Sequence, residues 1–272
     1  MILYLVGTDP ALVLDGDALG LGNLPPNMGV LVSYATMTRT WVEAVKWLQV
    51  RGVRIFIDSG AYSAATIGKP VSLDSYVDFL HGLDLTGIIY ANLDVIGDAD
   101  ASSQNLAAME KSGLAPLPVF HFGSSLHHLD RLVERYDYIA LGGMVGTPAS
   151  KTLPWAARCA ERSNRARFHA FGQTSMKMMF SFDWRSVDSS AWIAGIRYGG
   201  VPIFSGGAAK TIRREALQYS MRLRSEMREV GVDPDKILAN ERKSWVEVLK
   251  WSVHVWTLVA QRRATVHSNG GK

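Results

Sequence analysis

Eight short, apolar, β-rich runs with helical spacing between most of them constrain this chain more than any other feature. The runs are Ile2–Val6, Val30–Tyr34, Arg54–Ile57, Gly87–Leu93, Leu117–Phe122, Tyr138–Leu141, Phe168–Phe171 and Arg185–Val187. The segments Trp41–Val50, Leu73–Leu83, Ala101–Lys111, Leu126–Tyr136 and Trp155–Asn164 repeat apolar residues at helical intervals. Strands alternating with helices predict a parallel sheet clothed by helices. Eight strands in 272 residues favour an α/β fold of the closed (β/α)8 TIM-barrel kind over an open doubly wound sheet. Most connections are short and no Pro/Ser/Gly-rich linker divides the chain, so residues 1–272 read as one domain. Two places depart from the ideal barrel. Asp9–Asn27 carries Gly and Pro but no clear helix, which makes the first crossover irregular. After the eighth strand, Gly195–Gly207 reads as a hairpin or inserted loop, followed by two longer helices near Lys210–Val230 and Arg242–Arg263. The basic insertion and helical tail together span about 195–272.

Composition narrows the class further. The chain is 47% apolar and 20% charged, which excludes collagen, coiled coil and bulk disorder. No apolar run approaches the roughly 18–20 residues that cross a bilayer. The first ten residues lack a basic flank and a small-residue cleavage site, so they read as a strand and not a leader. One cysteine, Cys159, makes neither an internal disulfide nor a cysteine-rich zinc site. The expectation is a soluble, cytoplasmic protein without metal, cofactor or membrane partner. Charge is unevenly placed. Residues 1–150 hold 8 Lys/Arg against 15 Asp/Glu, and residues 151–272 hold 21 against 10, balances of −7 and +11 that sum to +4. An acidic half followed by a basic half suggests a site-bearing face and a polyanion-facing one, although solvated helix faces give the same count.

Barrel enzymes carry their chemistry where the strands end. Here the third run leads into Asp58-Ser59-Gly60-Ala61-Tyr62-Ser63 and the fourth ends in Asn92-Leu93-Asp94. The fifth ends in His121-Phe122-Gly123, the sixth in Leu141-Gly142-Gly143-Met144-Val145-Gly146, the seventh in Phe171-Gly172-Gln173-Thr174 and the eighth in Val187-Asp188-Ser189-Ser190. A single Asp after a strand is ordinarily a turn or N-cap residue, Gly142-Gly143 alone a tight turn, and His121 alone a satisfied core histidine. Six successive strand ends of this kind point instead to one cavity with three carboxylates, an imidazole and a glycine-lined wall. Two neighbouring buried carboxylates split into a nucleophile and a general acid/base, the pairing used in glycosyl transfer. A third suits the N–H groups of a purine-like base. Glycines let backbone approach a flat ligand, and Tyr62 and Met144 are candidates to sandwich it.

At these residues the sequence resembles the tRNA-guanine transglycosylase superfamily, above all its phage and bacterial branch that inserts 7-deazaguanine bases into DNA. The likeness rests on Asp58-Ser59-Gly60-Ala61-Tyr62, on Leu141-Gly142-Gly143-Met144-Val145-Gly146, on Asp94, on Phe171-Gly172 and on Val187-Asp188-Ser189-Ser190, in the family's order over roughly residues 28–195. The resemblance implies that Asp188 attacks the sugar C1′ of a target guanosine and that Asp58 serves as general acid/base. It implies that Asp94 accepts from the base, that Gly143 backbone contacts its carbonyl, and that Ser59, Tyr62, His121, Gly142, Met144 and Gly172 complete the pocket. His121 stands where the tRNA enzymes place a base-contacting glutamine. Asp183 is a rival nucleophile, but it precedes the eighth strand whereas Asp188 ends it. The tRNA enzymes also carry a three-cysteine, one-histidine zinc site that a single cysteine cannot supply, which favours a compact viral, DNA-directed enzyme in the host cytoplasm.

The basic half then has a use. Arg197, Lys210, Arg213 and Arg214 are candidate phosphate contacts to DNA, and Ser205-Gly206-Gly207 before a predicted helix start is a candidate phosphate cradle. Arg222 and Arg228 fit an amphipathic helix face better. Trp184, Trp192 and Tyr198 are candidates to stack on a flipped nucleotide. Gly206-Gly207-Ala208-Ala209-Lys210-Thr211 lacks the spacing of a P-loop. The tail helix with Trp245, Trp251 and Trp256 packs on the barrel or across a homodimer interface. The expected partners are guanine-containing DNA and a free 7-deazaguanine base of the 7-cyano kind. The same exchange on tRNA, and a non-catalytic barrel that binds nucleic acid, are the alternatives.

Overall fold

In the computed structural model, residues 1–62, 68–173, 175–240 and 244–269 are described, with side chains through Arg262. Ser63, Thr174 and Arg242, which the sequence reading named, lie outside them. The chain forms β1 (Ile2–Val6), α1 (Pro10–Leu14), β2 (Met28–Ser33), α2 (Arg39–Val50), β3 (Arg54–Asp58), α3 (Leu73–His81), β4 (Ile88–Tyr90), α4 (Ala99–Lys111), β5 (Val119–His121), α5 (Leu126–Arg135), β6 (Tyr138–Gly142), α6 (Ala149–Glu161), β7 (Arg167–Ala170), α7 (Met176–Ser181) and β8 (Ser186–Ser189). Eight parallel strands run in the order β4-β3-β2-β1-β8-β7-β6-β5, the (β/α)8 architecture expected.

Helix starts follow their caps. Thr38, Ser72, Asp98 and Ser175 each accept a backbone N–H of the first turn of α2, α3, α4 and α7. The first crossover is less irregular than the sequence suggests. Asp9 caps a short α1 with Pro10 at its first position, where a proline loses no hydrogen bond, and a 3-10 turn follows at Leu21–Asn23. Helix α6 begins six residues before the predicted start at Trp155, with Pro154 inside it.

The largest correction concerns the segment after β8. The chain makes α8 (Ala194–Tyr198) and then a hairpin of β9 (Gly200–Ser205) and β10 (Ala208–Arg213). The predicted helix over Lys210–Val230 is therefore β10, a 3-10 segment at Arg214–Tyr219 and α9 (Met221–Glu229), which Ser220 caps. Then come α10 (Pro234–Ala239) and α11 (Ser244–Asn269). Gly206 and Gly207 are the hairpin turn, with φ of +61° and +78°, the left-handed pair that two-residue hairpins require. No helix follows them, so they are no phosphate cradle, and their carbonyls accept from the Arg262 guanidinium instead. Trp184, Trp192, Trp251 and Trp256 are buried; Trp192 Nε1 donates to Val6 O at 2.8 Å and Trp251 Nε1 to Pro202 O at 2.6 Å. Trp192 and Trp251 help hold the tail on the barrel, Trp184 Nε1 donates to Met178 O at 2.9 Å, and buried as they are none of the four stands open to stack on a nucleotide. Among the described residues no helix is long and apolar enough to cross a membrane, and no group of three metal-ligating side chains occurs.

Two apolar clusters divide the interior. The larger lies between sheet and helices. The smaller, Tyr4, Leu31, Phe56, Ala91, Leu117, Val119 and Ala140 with Tyr138 and Phe171 against it, fills the barrel itself. Closure is uneven. β1 and β8 pair over four residues, whereas β4 and β5 meet only at a bridge between Ala91 and Leu117. Pro116 and Pro118 flank Leu117 and have no N–H to extend the ladder. The Asn92 side chain continues the join, accepting Val119 N–H at 2.8 Å and donating to Ser102 O at 3.3 Å.

Candidate active site

Strand pleating decides what faces the barrel mouth. Successive residues alternate sides, so the position two beyond each barrel-filling residue points inward one layer higher. Phe56 is followed in this way by Asp58, Val119 by His121, Ala140 by Gly142, and Ser186 by Asp188. The third carboxylate, Asp94, arrives from the loop after β4.

Ser59, Asp94 and His121 form one hydrogen-bonded unit. Ser59 Oγ donates to Asp94 Oδ1 at 2.9 Å, and His121 Nε2 donates to Asp94 Oδ2 at 2.7 Å. Gly142 is what lets the imidazole lie there, because a Cβ on it would come within 2.9 Å of the His121 ring. Gly143 is exposed, with φ +75°. A cavity of about 360 Å³ opens beside Asp94, lined by Ala61, Pro70, Val71, Leu93, Val95 and Asn105 among others.

Asp58 is half-buried at the end of β3. Burial and the charges of Asp94 and Asp188 push its pKa up to about 8, against the opposing pull of the Gly60 and Ser59 backbone N–H groups. Asp188 is anchored through one oxygen. Its Oδ1 accepts Gly172 N–H at 2.8 Å and lies 3.2 Å from His169 Nε2. Gly172, expected to line a base pocket, thus holds a carboxylate. It has φ +64°, and a Cβ on it would strike Val145 at 2.4 Å.

Asp183 is 63% exposed and pairs with Arg167, the first residue of β7, at 3.6 Å, which sets it at the opposite end of the barrel. Met144 is buried in the outer core, its sulfur accepting from Gln173 Nε2 at 3.7 Å; it packs and does not stand open to sandwich a ligand. Tyr62 is 55% exposed at the rim.

The sequence reading missed His169. It is fully buried in the barrel interior, its ring 4.7 Å from Phe56, 4.5 Å from Phe171 and 6.1 Å from Tyr4 between centroids. That burial lowers its pKa, against the hydrogen bond and charge of Asp188. Its Nδ1 lies 2.6 Å from Ser186 Oγ, which also bonds to Tyr138 OH. Counting alternate residues back from Phe171 and Asp188 places His169 and Ser186 on the inner face.

The basic candidates separate. Arg214 is half-buried, and its guanidinium donates to Asn240. Arg222 pairs with Glu226, and Arg224 and Arg228 both pair with Asp235. Arg197, Lys210 and Arg213 are exposed with no carboxylate partner among the described residues. Arg213 pairs across the hairpin with Gly200, just after the helix that bears Arg197 and the 83% exposed Tyr198. Lys210 sits three residues further along β10, about 10 Å away.

No family model matches the chain, and no curated protein matches it. Among solved structures it is similar to the citrate synthase SbnG, at 11% identity over 73% of this chain and 89% of that one, with a TM-score of 0.47. It is similar to a protein of Aquifex aeolicus VF5, at 11% identity over 93% of both chains and a TM-score of 0.46. It is also similar to a ligand-free tryptophan synthase of M. tuberculosis, at 16% identity over 93% and 92% of the two chains and a TM-score of 0.43.

Proposed function

We propose that this protein is a guanine transglycosylase that exchanges guanine in DNA for a free 7-deazaguanine base through a covalent glycosyl-aspartate intermediate. One observation carries the reading: Asp58, Asp94 and Asp188 meet at the barrel mouth, where burial and the other two charges push the Asp58 pKa up to about 8, which supports the division into acid and nucleophile that glycosyl transfer needs. Asp188 attacks C1′ as the C1′–N9 bond breaks, and Asp58 gives its proton to the departing guanine. The incoming base returns a proton to Asp58 as its N9 displaces Asp188. Two inversions at C1′ retain configuration. Asp94 accepts the N1–H and amine of either base, replacing bonds now made by Ser59 and His121. The exposed pair Arg197 and Arg213 contacts phosphates, and the target nucleotide is flipped out or single-stranded.

The test counts radiolabelled 7-cyano-7-deazaguanine entering acid-insoluble duplex DNA and bulk tRNA side by side, with Asp188→Ala as control. Label in DNA that vanishes in the variant is the expected result. Label in tRNA alone overturns the choice of polymer, and label in neither overturns the proposed exchange.

A further inference from the structure

Asp188 is tied down by more than its neighbours at the mouth. Beneath it, Tyr138 OH, Ser186 Oγ, His169 and Asp188 Oδ1 follow one another by hydrogen bonds through the barrel core. The chain starts at the first residue of β6, at the end of the barrel remote from the mouth, where Arg185 lies 4.6 Å over the Tyr138 ring. We propose that Tyr138, Ser186 and His169 are positioning residues that occupy Oδ1 of Asp188 and leave Oδ2 as the attacking atom, an inference that deepens the glycosyl-transfer reading.

The donor at each link follows from the acceptor at the top. A nucleophilic carboxylate only accepts, so His169 Nε2 carries the proton it shares with Oδ1. Nδ1 is then bare and accepts the Ser186 hydroxyl, and Ser186 in turn accepts from Tyr138. Every link has a donor in this direction, whereas the reverse order sets a bare Nε2 against the ionised Oδ1 with no proton between them. The Gly172 N–H on Oδ1 points the same way, because a backbone donor needs a lone pair there. Tyr4, Phe56 and Phe171 cage the imidazole on three sides, which fixes the plane of the ring. With both donors on Oδ1 and none on Oδ2 among the described residues, the lone pairs of Oδ2 are unquenched and the carboxylate plane is fixed. That order is in place before the sugar arrives, where disorder would otherwise be lost in the transition state.

The test has two readouts. In the free protein with 15N-labelled histidine at pH 7, the His169 ring is expected as the Nε2–H tautomer. Ser186→Ala, which keeps the fold by thermal melting, is expected to mix in the Nδ1–H form, and Ser186→Thr to restore the original. In base exchange, Ser186→Ala and Tyr138→Phe lower kcat about tenfold or more with the KM for free base unchanged, as losing an outer hydrogen-bonding partner does elsewhere. An Nδ1–H or doubly protonated His169 in the unaltered protein overturns the relay, whether or not any polymer takes up label. An unchanged kcat in Ser186→Ala overturns its role in positioning. Absence of exchange in the unaltered protein, with the expected tautomer present, overturns the transglycosylase reading and leaves the relay standing.

Discussion

Asp58 carries a pH dependence of stability and, on the proposed mechanism, of activity. Its carboxyl in the folded protein titrates at about 8 against an ordinary 3.8, so between those values the folded state holds a proton that the unfolded state has released. Stability from this group is therefore fully present below about pH 4 and is lost as pH rises toward 8. Asp58→Asn removes the loss. Melting curves from pH 5 to 8 should show the variant gaining on the unaltered protein at each step, by about 3 °C or more at pH 8, while base exchange falls about a hundredfold or more. On the proposed mechanism, expulsion of guanine by the unaltered protein should decline above about pH 8, where Asp58 loses its proton. A melting difference that does not change with pH contradicts the assignment. At this scale the carboxylates were legible in the sequence because Asp58 and Asp188 stand at strand ends and Asp94 in the loop just after one. His169 was not, because it lies one layer below, inside β7, where a histidine between Phe168 and Ala170 looks like core. Its signal is phase: it shares a face with Phe171, and its neighbour in register is Ser186.

At the scale of elements, all eight barrel strands were legible, since β-rich runs of this length between helices have few other uses. The tail was not. Its basic residues are spaced like a helix from Lys210 onward, but two left-handed glycines fold Ala208–Arg213 back on β9 and Ser220 restarts the helix. A two-residue turn outweighs side-chain periodicity because it fixes the partner strand. The join between β4 and β5 depends in a similar way on one side chain. Asn92→Ala leaves the Val119 N–H without its acceptor and is expected to cost about 2 kcal/mol, roughly 5 °C in Tm. Amide exchange should then quicken first at Val119 and its neighbours. Uniform exchange across the sheet would contradict this account of the seam.

For the whole molecule, the charge imbalance of the sequence is real but less available than its count. Many arginines of the second half are engaged within the fold: Arg214 with Asn240, Arg262 with backbone carbonyls, and Arg162, Arg167, Arg222, Arg224 and Arg228 with carboxylates. Of the candidate phosphate contacts, Arg197 and Arg213 face outward beside Tyr198, with Lys210 farther along the hairpin. DNA affinity measured against salt should therefore lose about 0.9 from its slope for each of Arg197→Ala and Arg213→Ala. Lys210→Ala should change it less, and an equal loss at all three would argue against a footprint centred on Arg197 and Arg213.

The unequal closure of the barrel has a mechanical consequence. Asp58 and Asp188 stand on the continuous arc β3-β2-β1-β8, where every neighbouring strand is laddered and their relative position is stiff. Asp94 and His121 stand on opposite banks of the gap between β4 and β5, so their hydrogen bond is a clasp across it. A base that claims both oxygens of Asp94 undoes that clasp. On the transglycosylase reading, a base bound at Asp94 slackens the ring at the gap between β4 and β5, while Asp58 and Asp188, the proposed acid and nucleophile, stay on the rigid side.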